Sequence, residues 1–347
     1  MTTMRAARFT PAAGKLTVED VPVPSPRPGE ALVKVAACGI CHSDLSLLGG
    51  VFTTSLASIT PGHEAAGVIE RLGAPTAGWE PGDRVVLHAG RACGSCPACI
   101  AGAAADDCER VEIMAFDFDG AWAEYVLVPV TSLVRVPDSI PLEQAAVLAD
   151  AVSTPYAAVV DTAAVRPAES VGVWGLGGIG IHAVQSARLA GAAPLIALDP
   201  LPAARQRALE RGADHAVDPT AADALDQVAA LTGGRGLDVA IDAVGRGRTY
   251  AQANRALGYR GRLVMIGMSM DRFDLGPQTP FVRDRHTVTG HLGYRKAHIE
   301  QLVRLVATGR LDISGSVSAQ LPLEDVAEGV RRLETHEGNP LRILIRP

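Results

Sequence analysis

Six cysteines fall in the first third of a 347-residue chain: Cys38, Cys41, Cys93, Cys96, Cys99 and Cys108. Thiols clustered this tightly in a large chain read as metal ligands, because a disulfide framework belongs to much smaller secreted domains. Cys93, Cys96 and Cys99 stand at three-residue intervals, and Cys108 closes the same loop. Four thiolates on one loop form the closed tetrahedral set of a structural zinc. Cys41-His42-Ser43-Asp44 and Gly62-His63-Glu64 form a second group. Cys41 and His63 suit a second zinc. A catalytic zinc takes about three protein ligands and keeps one position open, so the third ligand is Glu64, Asp44 or a residue far along the chain.

A third constellation binds phosphate rather than metal. The apolar run Val171–Trp174 leads directly into Gly175-Leu176-Gly177-Gly178-Ile179-Gly180. This is G-x-G-x-x-G between a strand and a helix, where Gly175, Gly177 and Gly180 permit the turn, the close approach of a pyrophosphate and tight helix packing. Gly178 opens the helix, whose N-terminus attracts the phosphate. Asp199 ends the following strand, where a carboxylate binds the ribose hydroxyls of NAD and repels the extra phosphate of NADP. Arg205 and Arg207 read as a solvated helix face.

Two styles of sequence position these groups. Leu16 to Pro137 carries short strands, Ala31–Ala37, Ala65–Leu72, Arg84–Leu87 and Ala123–Val128, between Pro/Gly-rich turns. That is a β-rich domain. Beyond Pro141, apolar strands at Ser170–Trp174, Leu195–Leu198, His215–Val217, Leu237–Val244 and Arg262–Gly267 alternate with helices of about ten residues, the pattern of a parallel sheet covered on both faces. Helices follow at Ala297–Ala307 and Leu323–Leu333, then a strand at Leu341–Ile345.

With 48% hydrophobic and 20% charged residues, the composition is globular. The net charge of −6 and the lack of a basic stripe argue against nucleic acid as a partner. No apolar run has the length of a membrane span or the form of a signal peptide, so the expected location is the cytoplasm.

The stretches Cys38–Asp44 (CGICHSD), Gly62–Gly73 (GHEAAGVIERLG), Gly82–Val85 (GDRV), Cys93–Cys108, Gly120–Tyr125 (GAWAEY), Gly175–Gly180 and Asp238–Gly245 (DVAIDAVG) together resemble the zinc-containing medium-chain dehydrogenase/reductases, the alcohol dehydrogenases. They cover nearly the whole chain in the family's order. The resemblance implies an α/β protein: a GroES-like β-rich catalytic domain from residues 1–151, a Rossmann NAD-binding domain with a doubly wound parallel sheet from 152–288, and a C-terminal part, 289–347, returning to the catalytic domain. It implies a cleft active site, hydride transfer between an alcohol or its carbonyl product and NAD(H), and a homodimer or homotetramer joined through the Rossmann sheet edge around Val288–Leu292. Asp150 takes the place of the third zinc ligand, as in bacterial secondary-alcohol dehydrogenases, beside Cys41 and His63. By the same resemblance, Glu64 is expected to approach the metal transiently, Asp44 to orient its ligands and Ser43 to accept the alcohol proton. The resemblance also implies that His42 and Arg342 contact the pyrophosphate, that Thr154 lies near the nicotinamide, and that the backbone of Ile266 to Met268 binds the carboxamide.

Two departures from the family pattern stand out. Eight residues, Ile100–Asp107, separate the third and fourth lobe cysteines, where the family usually has seven. Ser46 stands where a histidine often ends the proton relay. A reductase of a conjugated C=C or an iminium, which needs no alcohol deprotonation, is the alternative on this scaffold. A non-catalytic zinc- and nucleotide-binding protein is the other. Ser46, Leu48, Phe52, Ala89, Met114 and Trp122 are candidates for the pocket wall or simply for the core, and His88 reads as a core histidine.

Overall fold

A computed structural model describes residues 2–102 and 107–347. The chain divides into two units, residues 1–151 with 295–347, and residues 152–294.

The first unit is built on the long strand Glu30–Ile40. One edge of this strand pairs along Ala65–Leu72. The other takes Tyr125–Pro129 at its start and the C-terminal strand Ile343–Arg346 at its end. Arg84–Leu87 and Leu133–Arg135 extend the sheet beyond Ala65–Leu72, and Ala319–Pro322 extends it beyond the C-terminal strand. The register slips twice between Glu30–Ile40 and Ala65–Leu72, and such bulges bend and twist a sheet. Val33, Ile69, Leu87, Met114, Trp122 and Ile345 are buried in its core. The C-terminal strand pairs antiparallel with Glu30–Ile40 through a continuous buried apolar run: Ile343 pairs with Ile40, Leu344 with Gly39 and Ile345 with Cys38. That register sets Arg342 beside the turn that carries Cys41.

The second unit holds a six-stranded parallel sheet. Its order is His215–Val217, Leu195–Leu198, Val171–Trp174, Leu237–Asp242, Leu257–Met265, Thr287–Gly290. Every residue of Val171–Trp174 and Leu195–Leu198 is buried, because helices cover both faces. Strand order reverses between Val171–Trp174 and Leu237–Asp242, the arrangement of a dinucleotide-binding sheet.

The expected boundary at residue 288 needs correction. It cuts the strand Thr287–Gly290, whose pairing with Arg262–Met265 keeps it in the second unit, and that unit runs on to Tyr294. The helix expected at Leu323–Leu333 starts as a 3-10 turn, Leu323–Asp325, before the α-helix Val326–Glu334. No helix among the described residues is long and apolar enough to cross a membrane.

Candidate active site

Cys41 caps the short helix His42–Leu48 at the end of the strand Glu30–Ile40. Asp44, wholly buried, accepts from the Cys41 amide at 2.9 Å and from the Gly62 amide at 3.1 Å. One carboxylate therefore ties the Cys41 turn to the His63 turn. Gly62 has φ +92°, and a Cβ there would lie 2.3 Å from Trp122 Cδ1 and 2.8 Å from Cys38 Sγ, so only glycine fits. The buried Trp122 indole donates to Gly39 O at 3.2 Å, and the Trp122 amide donates to Pro61 O at 3.0 Å. Trp122 thus belongs to the core that supports the site. Met114 is equally buried.

Asp150 lies on a π-helical turn, Leu148–Val152, between the α-helices Leu142–Val147 and Ser153–Ala157. A π turn inserts a residue into the helix and re-aims a side chain, a device common at functional sites. Asp150 Oδ2 stands 3.2 Å from Cys41 Sγ and 3.6 Å from His63 Nε2. The sulfur, nitrogen and oxygen all lie within 4.8 Å of one another. Tetrahedral zinc with bonds near 2.0–2.3 Å sets its ligand atoms about 3.3–3.8 Å apart, so the three donors fit a zinc with little movement. His63 Nδ1 is buried without a properly formed hydrogen bond and faces Asp44 Oδ1 at 3.4 Å. With Nε2 on a metal, Nδ1–H turns to that carboxylate. Burial works against a proton on His63, but Asp44 and Asp150 outweigh it and hold the pKa well above the usual imidazole value. A metal at Nε2 takes the place of that extra proton.

Glu64 does not stand with these ligands. Its carboxylate is fully buried and turned to Arg342, with Oε2 3.0 Å from Nε. Burial pushes Glu64 up to about 8, against the pull of Arg342. Arg342, expected at a pyrophosphate, is itself buried; its Nη1 donates to Ile40 O at 3.0 Å and its Nη2 lies 3.9 Å from Asp150 Oδ2. The strand register that seats it beside Ile40 explains the difference. His42 is exposed, with its ring 6.0 Å from that of His336. The Cys41 thiol points to Ser43 Oγ at 3.8 Å, which puts a hydroxyl beside the metal donors. Phe116, which sequence reasoning passed over, has its ring 5.6 Å from His63 and edge-on to Phe52 at 5.9 Å. Ala115 before it has φ +74°, a strained backbone for alanine that marks a special turn. His88 Nδ1 meets Gly90 O at 3.1 Å inside the protein.

The lobe cysteines converge as well. The four sulfurs of Cys93, Cys96, Cys99 and Cys108 lie within 4.8 Å of one another. Cys96 and Cys108 are 3.9 Å apart, close to the about 3.8 Å edge of a zinc tetrathiolate. Backbone amides aim at them: Ser95 N at Cys93, Cys99 N at Cys96, and both Cys93 N and Arg110 N at Cys108. The Ser95 amide and hydroxyl bring Cys93 down to about 6, while its thiol neighbour Cys96 drives Cys99 up to about 12. Without metal the cluster cannot hold all its charges. Of the longer spacing between Cys99 and Cys108, residues 103–106 lie outside the described residues.

In the second unit, Gly177 caps the helix Gly178–Ala190, with no side-chain hydrogen bond at the cap. A Cβ at Gly177 would meet nothing within 4 Å, whereas one at Gly180 would fall 1.6 Å from Gly175 O. The first marks open space in front of bare helix N–H groups, a fit for pyrophosphate. The second marks the packing of helix on turn. Asp199 accepts from Leu176 N and Leu201 N, each at 2.8 Å, which fixes its carboxylate beside the glycine turn. Arg205 Nη1 donates to Asp199 O and Pro200 O and lies 3.4 Å from Asp218, and Arg207 Nη2 donates to Leu176 O. Thr154 is buried, and Ile266 and Met268 follow the end of the strand Leu257–Met265.

Residues 27–138 match the family model described as an alcohol dehydrogenase GroES-like domain, and residues 178–308 match the zinc-binding dehydrogenase model. The chain belongs to the zinc-dependent alcohol dehydrogenase family of medium-chain dehydrogenase/reductases. An alcohol dehydrogenase of Cupriavidus necator is 31% identical over the full length of both chains. An NDMA-dependent alcohol dehydrogenase of Amycolatopsis methanolica is 33% identical over 98% of each. The crystal structure of the alcohol dehydrogenase of the archaeon Aeropyrum pernix superposes with a TM-score of 0.88 at 33% identity, covering 99% of this chain and all of that one.

Proposed function

We propose that this family member oxidises a secondary alcohol to its ketone, or runs the reverse, with NAD(H) and one catalytic zinc held by Cys41, His63 and Asp150. The chain is an oxidoreductase acting on alcohols, with zinc and NAD as cofactors. The observation that carries the assignment of residues is the convergence of Cys41 Sγ, His63 Nε2 and Asp150 Oδ2, with Ser43 Oγ beside them. Bound zinc supplies Lewis acidity toward a substrate oxygen, and NAD supplies the hydride acceptor.

The chain's own groups do the rest. Cys41 and Asp150 offset a dication with two negative charges. Asp44 orients His63 and locks its tautomer. Ser43 takes up the alcohol proton, and Ser46 cannot extend the relay as a histidine would. The hydroxyl of Ser43 favours alcohol chemistry over C=C or iminium reduction, which has no alcohol proton to receive. Phe52 and Phe116 offer an apolar face beside His63. The four lobe cysteines hold a structural zinc. Asp199 and the Gly175–Gly180 turn hold the adenosine and pyrophosphate of NAD, and Thr154, Ile266 and Met268 serve its nicotinamide end. Self-association into a dimer or tetramer uses the edge strand Thr287–Gly290, whose outer side has no partner strand among the described residues.

The test is elemental analysis with turnover on the same samples. Wild type is expected to carry about two zincs per chain and to oxidise secondary alcohols with NAD. Cys41→Ser, His63→Ala and Asp150→Ala each lose one zinc and at least about a thousandfold in rate, while NADH binding persists. Active wild type with no zinc, or a fully active Asp150→Ala, overturns the assignment.

A further inference from the structure

In the second unit the ring of His291 bridges two points on one helical run. Its Nε2 lies 3.0 Å from Thr154 O, and its Nδ1 lies 2.7 Å from Thr162 Oγ1. A carbonyl only accepts, so Nε2 carries the hydrogen and donates to Thr154 O; Nδ1 of the neutral ring then accepts from the Thr162 hydroxyl. The His291 amide donates to Met265 O at 2.9 Å. One residue thus joins the end of the edge strand Thr287–Gly290, the end of the neighbouring strand Leu257–Met265, and the run from Ser153 to Thr162. Thr154 O also accepts from the Ala158 amide, and the helix widens into a π turn over Ala158–Thr162, alongside the ring.

The place of this bridge in the sheet gives it meaning. In an open parallel sheet the dinucleotide lies across the carboxyl ends of the strands, at the reversal of strand order. The glycine turn follows Val171–Trp174 and Asp199 follows Leu195–Leu198, so the adenosine half occupies that side. The nicotinamide half therefore falls to the carboxyl ends of Leu237–Asp242, Leu257–Met265 and Thr287–Gly290, where His291 stands. We propose that His291 is a positioning residue for the nicotinamide end of the cofactor, holding Thr154 and the ends of the two outer strands at one fixed spacing. This inference rests on the NAD reading above.

The experiment measures the affinity of the zinc-loaded full chain for NADH and for ADP-ribose, which lacks the nicotinamide, in wild type, His291→Ala, His291→Gln and Thr162→Val. Two hydrogen bonds of about 1 kcal/mol each correspond to a loss on the order of tenfold or more. His291→Ala is expected to weaken NADH by about that factor and to leave ADP-ribose within about twofold. Thr162→Val moves the same way by less, and it is near-isosteric, so it serves if His291→Ala does not fold. His291→Gln recovers part of the loss, because its amide reaches Thr154 O as a donor. Unchanged NADH affinity in both His291→Ala and Thr162→Val overturns the inference and leaves the NAD reading standing. Equal weakening of NADH and ADP-ribose assigns His291 a purely structural role and also overturns it. A wild type that binds no NADH removes the NAD reading itself, and this inference with it.

Discussion

Arg342 Nε lies 3.0 Å from Glu64 Oε2, with the two side chains 4% and 0% exposed. Deleting Glu64 would leave the buried Arg342 cation without its partner, at a cost of about 3–5 kcal/mol. Burial raises Glu64 to about 8, above its ordinary carboxylate value near 4.5. A carboxylate raised in the folded state favours folding most below its unfolded pKa, and that contribution is lost as pH climbs to the folded value. His63, also raised, acts in the same direction above 6.5. Chelator-treated protein should therefore lose stability between about pH 4.5 and 8, by up to about 1.4 kcal/mol per pH unit from Glu64 alone. Denaturant melts of wild type and Glu64→Gln across that window check it, and identical slopes would count against the raised Glu64.

The lobe cysteines should separate stability from chemistry. Cys96→Ser is expected to drop the zinc content by one and to lower the melting temperature, because the cluster's thiolates then repel without a cation. Turnover per folded molecule stays near wild type. Metal analysis and calorimetry read the first two effects, and a brief assay after purification reads the third.

Two glycines in one turn should fail in opposite ways. The Cβ of Gly177→Ala enters open space, so the melting temperature holds while NADH affinity falls on the order of tenfold or more. In Gly180→Ala the new atom meets Gly175 O at 1.6 Å, so the fold itself loses at least the about 1–3 kcal/mol typical of overpacking. Paired thermal melts and NADH titrations distinguish them, and a Gly177→Ala protein with wild-type affinity would move the pyrophosphate elsewhere.

Asp199 should govern cofactor choice. Its carboxylate is already aimed by Leu176 N and Leu201 N. Loss of charge-assisted bonds worth about 1.5–3 kcal/mol in Asp199→Ala should raise KM for NAD about ten- to hundredfold and narrow the preference over NADP. Steady-state kinetics with both cofactors provide the check, and an unchanged ratio would take the ribose away from Asp199.

The sequence alone determined what depends on local spacing. The lobe cysteines and the glycine turn with Asp199 are short-range patterns, and a strand that packs against both sheet faces declares itself by an unbroken apolar run such as Leu195–Leu198. Cys41 and His63 were legible as ligand types, while Asp150 entered only through resemblance to a family. Tertiary structure decided what depends on long-range register. The return of Ile343–Arg346 onto Glu30–Ile40 carried Arg342 to Glu64, and a π turn swung Asp150 onto Cys41 and His63. It also set Phe116 against His63 and His291 against Thr154 and Thr162. None of these pairs leaves a periodic trace, because each joins side chains on separate elements whose meeting is fixed by sheet pairing and close packing.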